Sequence, residues 1–146
     1  MPGPGFYAVG ILIVNCMTIS KKTAIILGVA SIVIALCFQL FNDFVCYEKS
    51  IFETIIFIWF PAIPLIPAIV SLKSKNPLRA VPAALCVIPF YLLAYHVDCV
   101  EPYQGGGASM IYVAVIMYGT PLALLFFFIT DPICRLLKIQ VIDTNR

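Results

Sequence analysis

Charged side chains are scarce in this sequence. Asp, Glu, Lys and Arg account for 11% of its 146 residues, whereas they make up roughly a quarter of an ordinary soluble domain. Hydrophobic residues account for 62%, and the mean hydropathy is +1.05. This composition excludes a typical soluble globular domain and indicates an integral membrane protein. Because one helical span takes about 20 residues, the length suits one compact domain of about four spans and leaves no room for a soluble domain.

The motifs that commonly mark catalysis or cofactor binding are also missing. The sequence has no Cys-x-x-Cys pair and no His-Glu-x-x-His motif, and Gly105–Gly107 neither follows a strand nor opens a helix. His96 is the only histidine, and it lies close to Asp98. A zinc site needs three or four ligands at recognisable spacing, so we expect His96 to bond to a nearby carboxylate instead. We therefore predict no catalytic residues, no cofactor and no metal ion.

Four long apolar runs separated by short polar connections predict an all-α fold, a polytopic bundle of transmembrane helices. The predicted domain covers residues 1–146, with spans at residues 23–41, 51–72, 80–96 and 110–130. In the first span Gly28, Ala30, Ser31 and Ala35 form a flank of small residues. Small side chains let helix backbones approach closely in lipid, so we expect this flank to be a contact surface.

The second span organises the rest of the chain. After Glu53 it carries no charge until Lys73, and the basic connection that follows marks where the helix ends. Pro61, Pro64 and Pro67 recur at every third position. Each proline removes a backbone donor and clashes with the carbonyl four residues earlier, so this half of the span should be kinked or locally unwound. Either a bent packing helix or a broken helix lining a path is compatible with this pattern.

The first 20 residues carry no charge and leave three interpretations open. The apolar stretch 6–14 is short for a span, and Asn15 interrupts it. A cleaved secretory signal needs a basic segment ahead of its apolar core, but here Lys21 and Lys22 follow it. The segment is a fifth short span, an interfacial segment, or an artefact of start-site choice upstream of a native start at Met17.

The segment that begins at Asp131 has the sequence pattern of a new helix N-terminus. Asp131 suits an N-cap and Pro132 suits the first helical position. Beyond them, apolar residues fall on one side and Arg135 and Lys138 on the other. This pattern predicts a short amphipathic helix over residues 132–142, lying at the membrane interface.

The basic residues predict an orientation, because short connections rich in Lys and Arg remain in the cytoplasm. If both termini are cytoplasmic, the cytoplasmic side receives Arg146 and the topology-setting residues Lys21, Lys22, Lys73, Lys75, Arg79, Arg135 and Lys138. Only Lys49 falls outside. We therefore predict an integral protein of the bacterial inner membrane with cytoplasmic N- and C-termini. The net charge of +2 is spread over clusters beside apolar runs, which argues against a nucleic-acid partner.

Two cysteines fall in the connections predicted to lie outside, Cys46 in one and Cys99 in the other. An oxidising exterior permits a disulfide between them. Such a bond would close a loop of roughly 50 residues and, in the chain-entropy model, contribute about 4 kcal/mol. The alternative is a pair of free thiols.

These features favour a small non-enzymatic membrane protein that acts by helix–helix contacts, as an accessory subunit, an immunity-type protector or a scaffold. Its expected partners are the lipid bilayer and another membrane protein or a second copy of itself. In size and span number it is broadly similar to immunity proteins against pore-forming bacteriocins; the likeness rests on no motif and assigns no residue a role. The alternatives are a small transporter or channel subunit and a membrane thiol oxidoreductase.

Overall fold

The computed structural model describes residues 17–100 and 110–142, and most of these are helical. The helices are α1 (Lys21–Phe41), α2 (Ile51–Phe57), α3 (Trp59–Ala62), α4 (Ile66–Ser71), α5 (Ala80–Leu85), α6 (Ile88–Tyr95) and α7 (Ile111–Leu136). Short 3₁₀ turns cover Ile63–Leu65 and Pro77–Arg79, and π-helical turns cover Asn42–Cys46 and His96–Val100. Two short strands, β1 (Met17–Ser20) and β2 (Ile139–Ile142), complete the described chain.

In the described part of the chain, three helical segments are long and apolar enough to cross a membrane: Lys21–Cys46, Pro77–Val100 and Ile111–Leu136. The run from α2 to α4 becomes a fourth candidate if its two parts, which meet at 43°, are counted as one span. The prediction of a polytopic helical membrane protein is thus supported in its coarser form, a mostly helical chain with three or more candidate spans.

The bend in the second span lies beside its first proline. Pro61 has no N–H to donate to the carbonyl of Phe57, and α2 ends at Phe57 while α3 begins at Trp59. Pro64 then lies within the 3₁₀ turn that separates α3 from α4. The Pro61 carbonyl gains a partner from elsewhere in the bundle, since the Tyr91 hydroxyl donates to it at 2.5 Å. Neighbouring helices must supply such partners in hydrocarbon, where water does not.

The core is built mainly from small residues, so the helices lie close together. Fully buried alanines come from five helices: Ala24, Ala35, Ala68, Ala80, Ala83, Ala84, Ala94 and Ala123. Gly28 of α1 faces α5, where a Cβ atom on it would lie 2.8 Å from the Cβ of Ala80. Gly28, Ser31 and Ala35 are therefore occupied within the bundle, and only Ala30 of the predicted small flank remains exposed. The flank is thus a helix contact surface, and the helix that it contacts is α5 of the same chain.

The prediction of a short amphipathic helix over residues 132–142 is wrong. α7 continues through Asp131 and Pro132 to Leu136 without a restart, and residues 139–142 form a strand. Pro132 is tolerated within the helix, as is Pro121. Lys138 adopts a left-handed backbone conformation, with φ of 55°, which reverses the chain direction directly after the helix.

The strand at the end of the chain pairs in parallel with the strand before α1. Met17 aligns with Ile139 and Ser20 with Ile142. The pairing satisfies backbone groups of both segments, and β-branched residues such as Val141 favour it. The chain is therefore not purely α-helical, and residues 17–20 belong to this strand pair. The fifth-span, interfacial and start-site hypotheses concern the first 20 residues, of which residues 1–16 lie outside the described part of the chain.

The described contacts define two ends of the bundle. The disulfide end contains Cys46 and Cys99, which are bonded to each other. The basic end contains the strand pair and the turn between α4 and α5, and Arg79 there pairs with Asp131 of α7. All seven basic residues singled out in the sequence lie toward the basic end, whereas Lys49 lies at the disulfide end.

Candidate functional site

The disulfide joins the two π-helical turns at one end of the bundle. Cys46 and Cys99 are 53 residues apart in sequence, and their Cα atoms lie 5.6 Å apart. This distance is within the usual range for disulfides. Of the two alternatives that the sequence left open, a disulfide or two free thiols, the structure has the disulfide, which ties the end of the α1 segment to the end of the α6 segment.

A hydrogen bond runs alongside the disulfide. Tyr47, next to Cys46, donates its hydroxyl proton to the carboxylate of Asp98, next to Cys99. Burial, followed by this hydrogen bond, raises the pKa of the Tyr47 phenol well above its ordinary value. Tyr47 is therefore a neutral donor across the physiological pH range. Asp98 takes Tyr47 as its partner and not the neighbouring His96, which is exposed.

Beneath the disulfide lies a buried polar cluster formed by Gln39, Asp43, Lys49 and Tyr112. The Gln39 amide nitrogen donates to Asp43 Oδ2 at 3.2 Å and to the Tyr112 hydroxyl at 3.0 Å. The Lys49 ammonium lies 2.6 Å from Asp43 Oδ1. Gln39 and Asp43 are 1% and 2% exposed, so these polar groups have left water and depend on each other.

The Lys49 ammonium is also held by aromatic rings. It lies 5.0 Å from the ring centre of Tyr47 and 5.7 Å from that of Tyr112, both within cation–π range. Asp43 balances its charge directly, and Glu53 at the start of α2 interacts with it electrostatically. The cluster therefore carries no surplus positive charge despite containing a lysine.

Further bonds fix this cluster to the core. The Asn42 side chain, one residue before Asp43, donates to the Tyr91 carbonyl at 2.9 Å. Tyr91 is fully buried, and its hydroxyl reaches Pro61 of the bent span. The backbone positions of α1, α6 and α3 are thus coupled at the disulfide end.

A cavity of about 310 Å³ opens beside the cluster, between the α2–α3 run and α7. Its polar wall consists of Gln39, Lys49 and Tyr112. Its apolar wall consists of Phe57, Phe60, Pro61, Val113 and Ile116. Because Phe57, Phe60 and Val113 are themselves exposed on the bundle surface, the cavity is open sideways between these helices.

The basic end has a different construction. The Arg79 guanidinium bonds through two nitrogens to the two oxygens of Asp131, and Asn76 donates to Asp131 Oδ1 at 2.9 Å. The guanidinium carbon lies 4.9 Å from the ring centre of Phe127. Asp131, expected as an N-cap, instead ties α7 to the turn between α4 and α5.

The structure brings two of the predicted site residues together and places the others elsewhere in the bundle. Cys46 and Cys99 come together, and Pro61, Pro64 and Pro67 lie in the bent run. No group of three or more His, Cys, Asp or Glu side chains able to hold a metal occurs among residues 17–100 and 110–142. In the same part of the chain, Cys37, Cys86 and Cys134 are free thiols.

The polar cluster was not predicted from the sequence, although the positions of some of its residues gave an indication of it. Gln39 and Asp43 are four residues apart, which places them on the same side of a continuous helix. Tyr47 and Asp98 each neighbour a cysteine of the predicted disulfide. Nothing in the sequence pattern pointed to Tyr112, because its contribution depends on how α7 packs against α1.

The fold and these two ends define the class: a mostly helical bundle whose helices have the length and apolarity of membrane spans, clamped by a disulfide at one end and an ion pair at the other. No protein-family model, curated protein or solved structure matches the chain.

Proposed function

We propose that the chain is a four-span protein of the bacterial inner membrane, with both termini in the cytoplasm. Counting the run from α2 to α4 as one bent span gives four antiparallel crossings, with residues 17–20 and 139–142, the two ends of the described chain, both at the basic end. The charge distribution supports the orientation, since seven basic residues gather there. At the other end Lys49 is a single basic residue against these seven, so the Lys and Arg bias favours the basic end as the cytoplasmic side.

Epitope insertion tests this topology. One epitope is placed after Lys75 in the turn at the basic end, and another within Gly105–Gly107. In intact spheroplasts, an antibody should reach only the glycine-segment epitope, and permeabilisation should expose the other. If both epitopes respond alike in intact spheroplasts, the four-span topology is wrong.

We further propose that the protein is non-enzymatic and acts by contacts with another membrane protein, as an accessory subunit, an immunity-type protector or a scaffold. One observation carries this proposal: the bent second span turns a bulky apolar surface outward. Trp59 is 75% exposed, and with Ile63, Ile66 and Ile69 it lines a depression of about 330 Å³. In lipid, helix association depends on the fit of side chains more than on hydrophobicity. A shaped surface of this kind suits a partner helix.

Site-specific photocrosslinking provides the test. A photoreactive residue replaces Ile66 on this surface, and Val33 on α1 serves as the matched control because the two side chains are 52% and 50% exposed. We expect a discrete protein adduct from position 66 and lipid adducts alone from position 33. An adduct of twice the chain mass would identify a second copy as the partner. Lipid adducts alone at position 66 would contradict the proposal.

A transporter or channel subunit is the second candidate, favoured by the break in the second span beside a cavity with a polar wall. Proteoliposomes loaded with a fluorescent ion indicator test it. Flux above that of empty liposomes, lost when Val113→Trp fills the cavity, would support transport. Flux equal to that of empty liposomes would support the non-transport proposal.

A further inference from the structure

The cavity beside the polar cluster contains one buried polar atom that the fold leaves unsatisfied. Gln39 lines the cavity and is 1% exposed, yet its Oε1 has no hydrogen-bond partner among residues 17–100 and 110–142. A buried amide oxygen without a partner costs roughly 1–3 kcal/mol, so such atoms are usually satisfied by something. This atom therefore points to a ligand donor.

The orientation of the Gln39 amide is fixed by its neighbours. Its nitrogen bonds to Asp43, and a carboxylate oxygen can only accept a hydrogen bond, so the nitrogen must be the atom on that side. The second amide proton goes to the Tyr112 hydroxyl. Both donors are thus used, and only the oxygen remains. Rotating the amide to satisfy the oxygen would break both existing bonds.

The charges around the cavity select a neutral head group. Lys49 could in principle attract an anion, but Asp43 already lies 2.6 Å from its ammonium, and Glu53 also acts on it. An anionic ligand would add a third negative charge to one positive charge in a poorly hydrated setting. A neutral hydroxyl group supplies the missing proton donor without that cost.

The remaining walls select an apolar body. Phe57, Phe60, Val113 and Ile116 line the rest of the cavity, and its open side faces the surface that we place in hydrocarbon. A cavity of about 310 Å³ exceeds the roughly 150 Å³ that holds a benzene molecule, so a ring or a short chain fits inside. A longer tail can extend through the open side into lipid.

From these observations we propose that the cavity binds a neutral, lipid-soluble hydroxyl compound, whose hydroxyl donates to Gln39 Oε1 and whose apolar body packs against Phe57, Phe60 and Val113. Two sources share this chemistry, a phenol and a lipid alcohol such as a diacylglycerol. The site lies on the α7 side of the bent span, and its occupancy does not depend on the proposed protein contact around Ile66.

Matched competitors test the role of the hydroxyl. The purified full chain in nanodiscs is photolabelled with a diazirine derivative of 4-hexylphenol, and adducts are mapped by mass spectrometry. 4-Hexylphenol should displace the probe about three- to tenfold more effectively than 4-hexylanisole, in which a methyl group replaces the donor proton. 1,2-Dioctanoylglycerol is the lipid-alcohol competitor. Stronger competition by the glycerol assigns the site to a lipid alcohol, and stronger competition by the phenol assigns it to a phenol.

Two substitutions test the location. Gln39→Leu keeps the side-chain volume but removes the acceptor, and should abolish the preference for phenol over anisole. Val113→Trp fills the cavity from an exposed position and should reduce labelling at least tenfold. Val33→Trp on α1 is the control, since Val33 and Val113 are 50% and 51% exposed, and it should leave labelling unchanged.

Either of two results would overturn the proposal. Equal competition by phenol and anisole would mean that no hydroxyl is recognised and that an ordinary acyl chain or water fills the space. Unchanged labelling in folded Val113→Trp protein would place the probe elsewhere. Because the Val113→Trp change is on the bundle surface, the location test does not depend on Gln39→Leu protein remaining folded.

Discussion

The approach of α1 to α5 at Gly28 gives a prediction whose size follows from the geometry. A Cβ atom added at Gly28 would lie 2.7 Å from Leu72 Cδ2 and 2.8 Å from Ala80 Cβ. Carbon atoms pack best at about 3.5–4.0 Å, so Gly28→Ala forces a displacement of the order of 1 Å. Leu72 can rotate away, but Ala80 Cβ is attached directly to the α5 backbone, so α1 and α5 must separate.

Gly119 on α7 provides the matched control. A Cβ atom there would meet Pro64 Cβ at 3.5 Å and Phe90 Cδ2 at 3.9 Å, which are ordinary contacts. Both substitutions gain about 1 kcal/mol of helix propensity, and this gain cancels when the two variants are compared. Overpacking costs about 1–3 kcal/mol, so Gly28→Ala should be less stable than Gly119→Ala by that amount.

Unfolding in dodecyl maltoside with increasing mole fractions of SDS, followed by intrinsic fluorescence, measures the difference. If the contact with Ala80 is responsible, adding Ala80→Gly should restore more stability to Gly28→Ala than it gives to the unmodified chain. A Gly28→Ala protein as stable as the Gly119→Ala protein would refute the close approach of α1 and α5.

Three further predictions concern the two ends of the bundle. Reduction of the Cys46–Cys99 bond should lower the free energy of unfolding by about 4 kcal/mol, the value that the chain-entropy model gives for a 53-residue separation. Reduction should also shift the mobility of the protein on a gel. A variant in which both cysteines are replaced by serine should not respond to reductant. A double-mutant cycle of Arg79→Ala and Asp131→Ala should give a coupling of about 1–2 kcal/mol, and a coupling near zero would contradict the paired geometry. Burial and the bond to Asp98 raise the pKa of Tyr47 above its ordinary value of about 10, so its neutral form stabilises the fold below about pH 10 and that contribution falls as the pH rises further. The difference in stability between wild type and Tyr47→Phe should therefore be constant from about pH 7 to 9 and shrink above about pH 10, whereas a difference that widens would contradict the bond.

Much of the architecture could be predicted because it depends on neighbours in sequence. Runs of about 20 apolar residues form helices in lipid whatever the rest of the chain does, since every backbone group must be satisfied within the segment. The bend beside Pro61 follows from its missing N–H. Placing one cysteine in each of two connections on the same side made the Cys46–Cys99 bond one of two alternatives, the other being a pair of free thiols.

The sequence-based predictions failed where segments that are far apart in sequence pack against each other. The parallel pairing of residues 17–20 with residues 139–142 joins nearly opposite ends of the described chain, and periodicity within either segment gives no sign of it. Asp131 and Pro132 have the sequence of a helix start, yet α7 continues through them because Asp131 finds Arg79 and Asn76 across the bundle. The small flank of α1 was expected to be a contact surface, but nothing in the sequence indicated that α5 of the same chain is the helix it contacts.

The candidate site was likewise predictable only in its local features. The sequence by itself determined that the chain is apolar and helical, where its basic residues cluster, and that Gln39 and Asp43 share a side of one helix. Only the tertiary structure decided that Tyr112 and Lys49 join them, that a cavity opens beside them, and that the Gln39 oxygen has no partner there within the described part of the chain. Propensity and hydrophobicity act locally along the chain, whereas a site is defined by distances between segments, and those distances are fixed only when the helices pack.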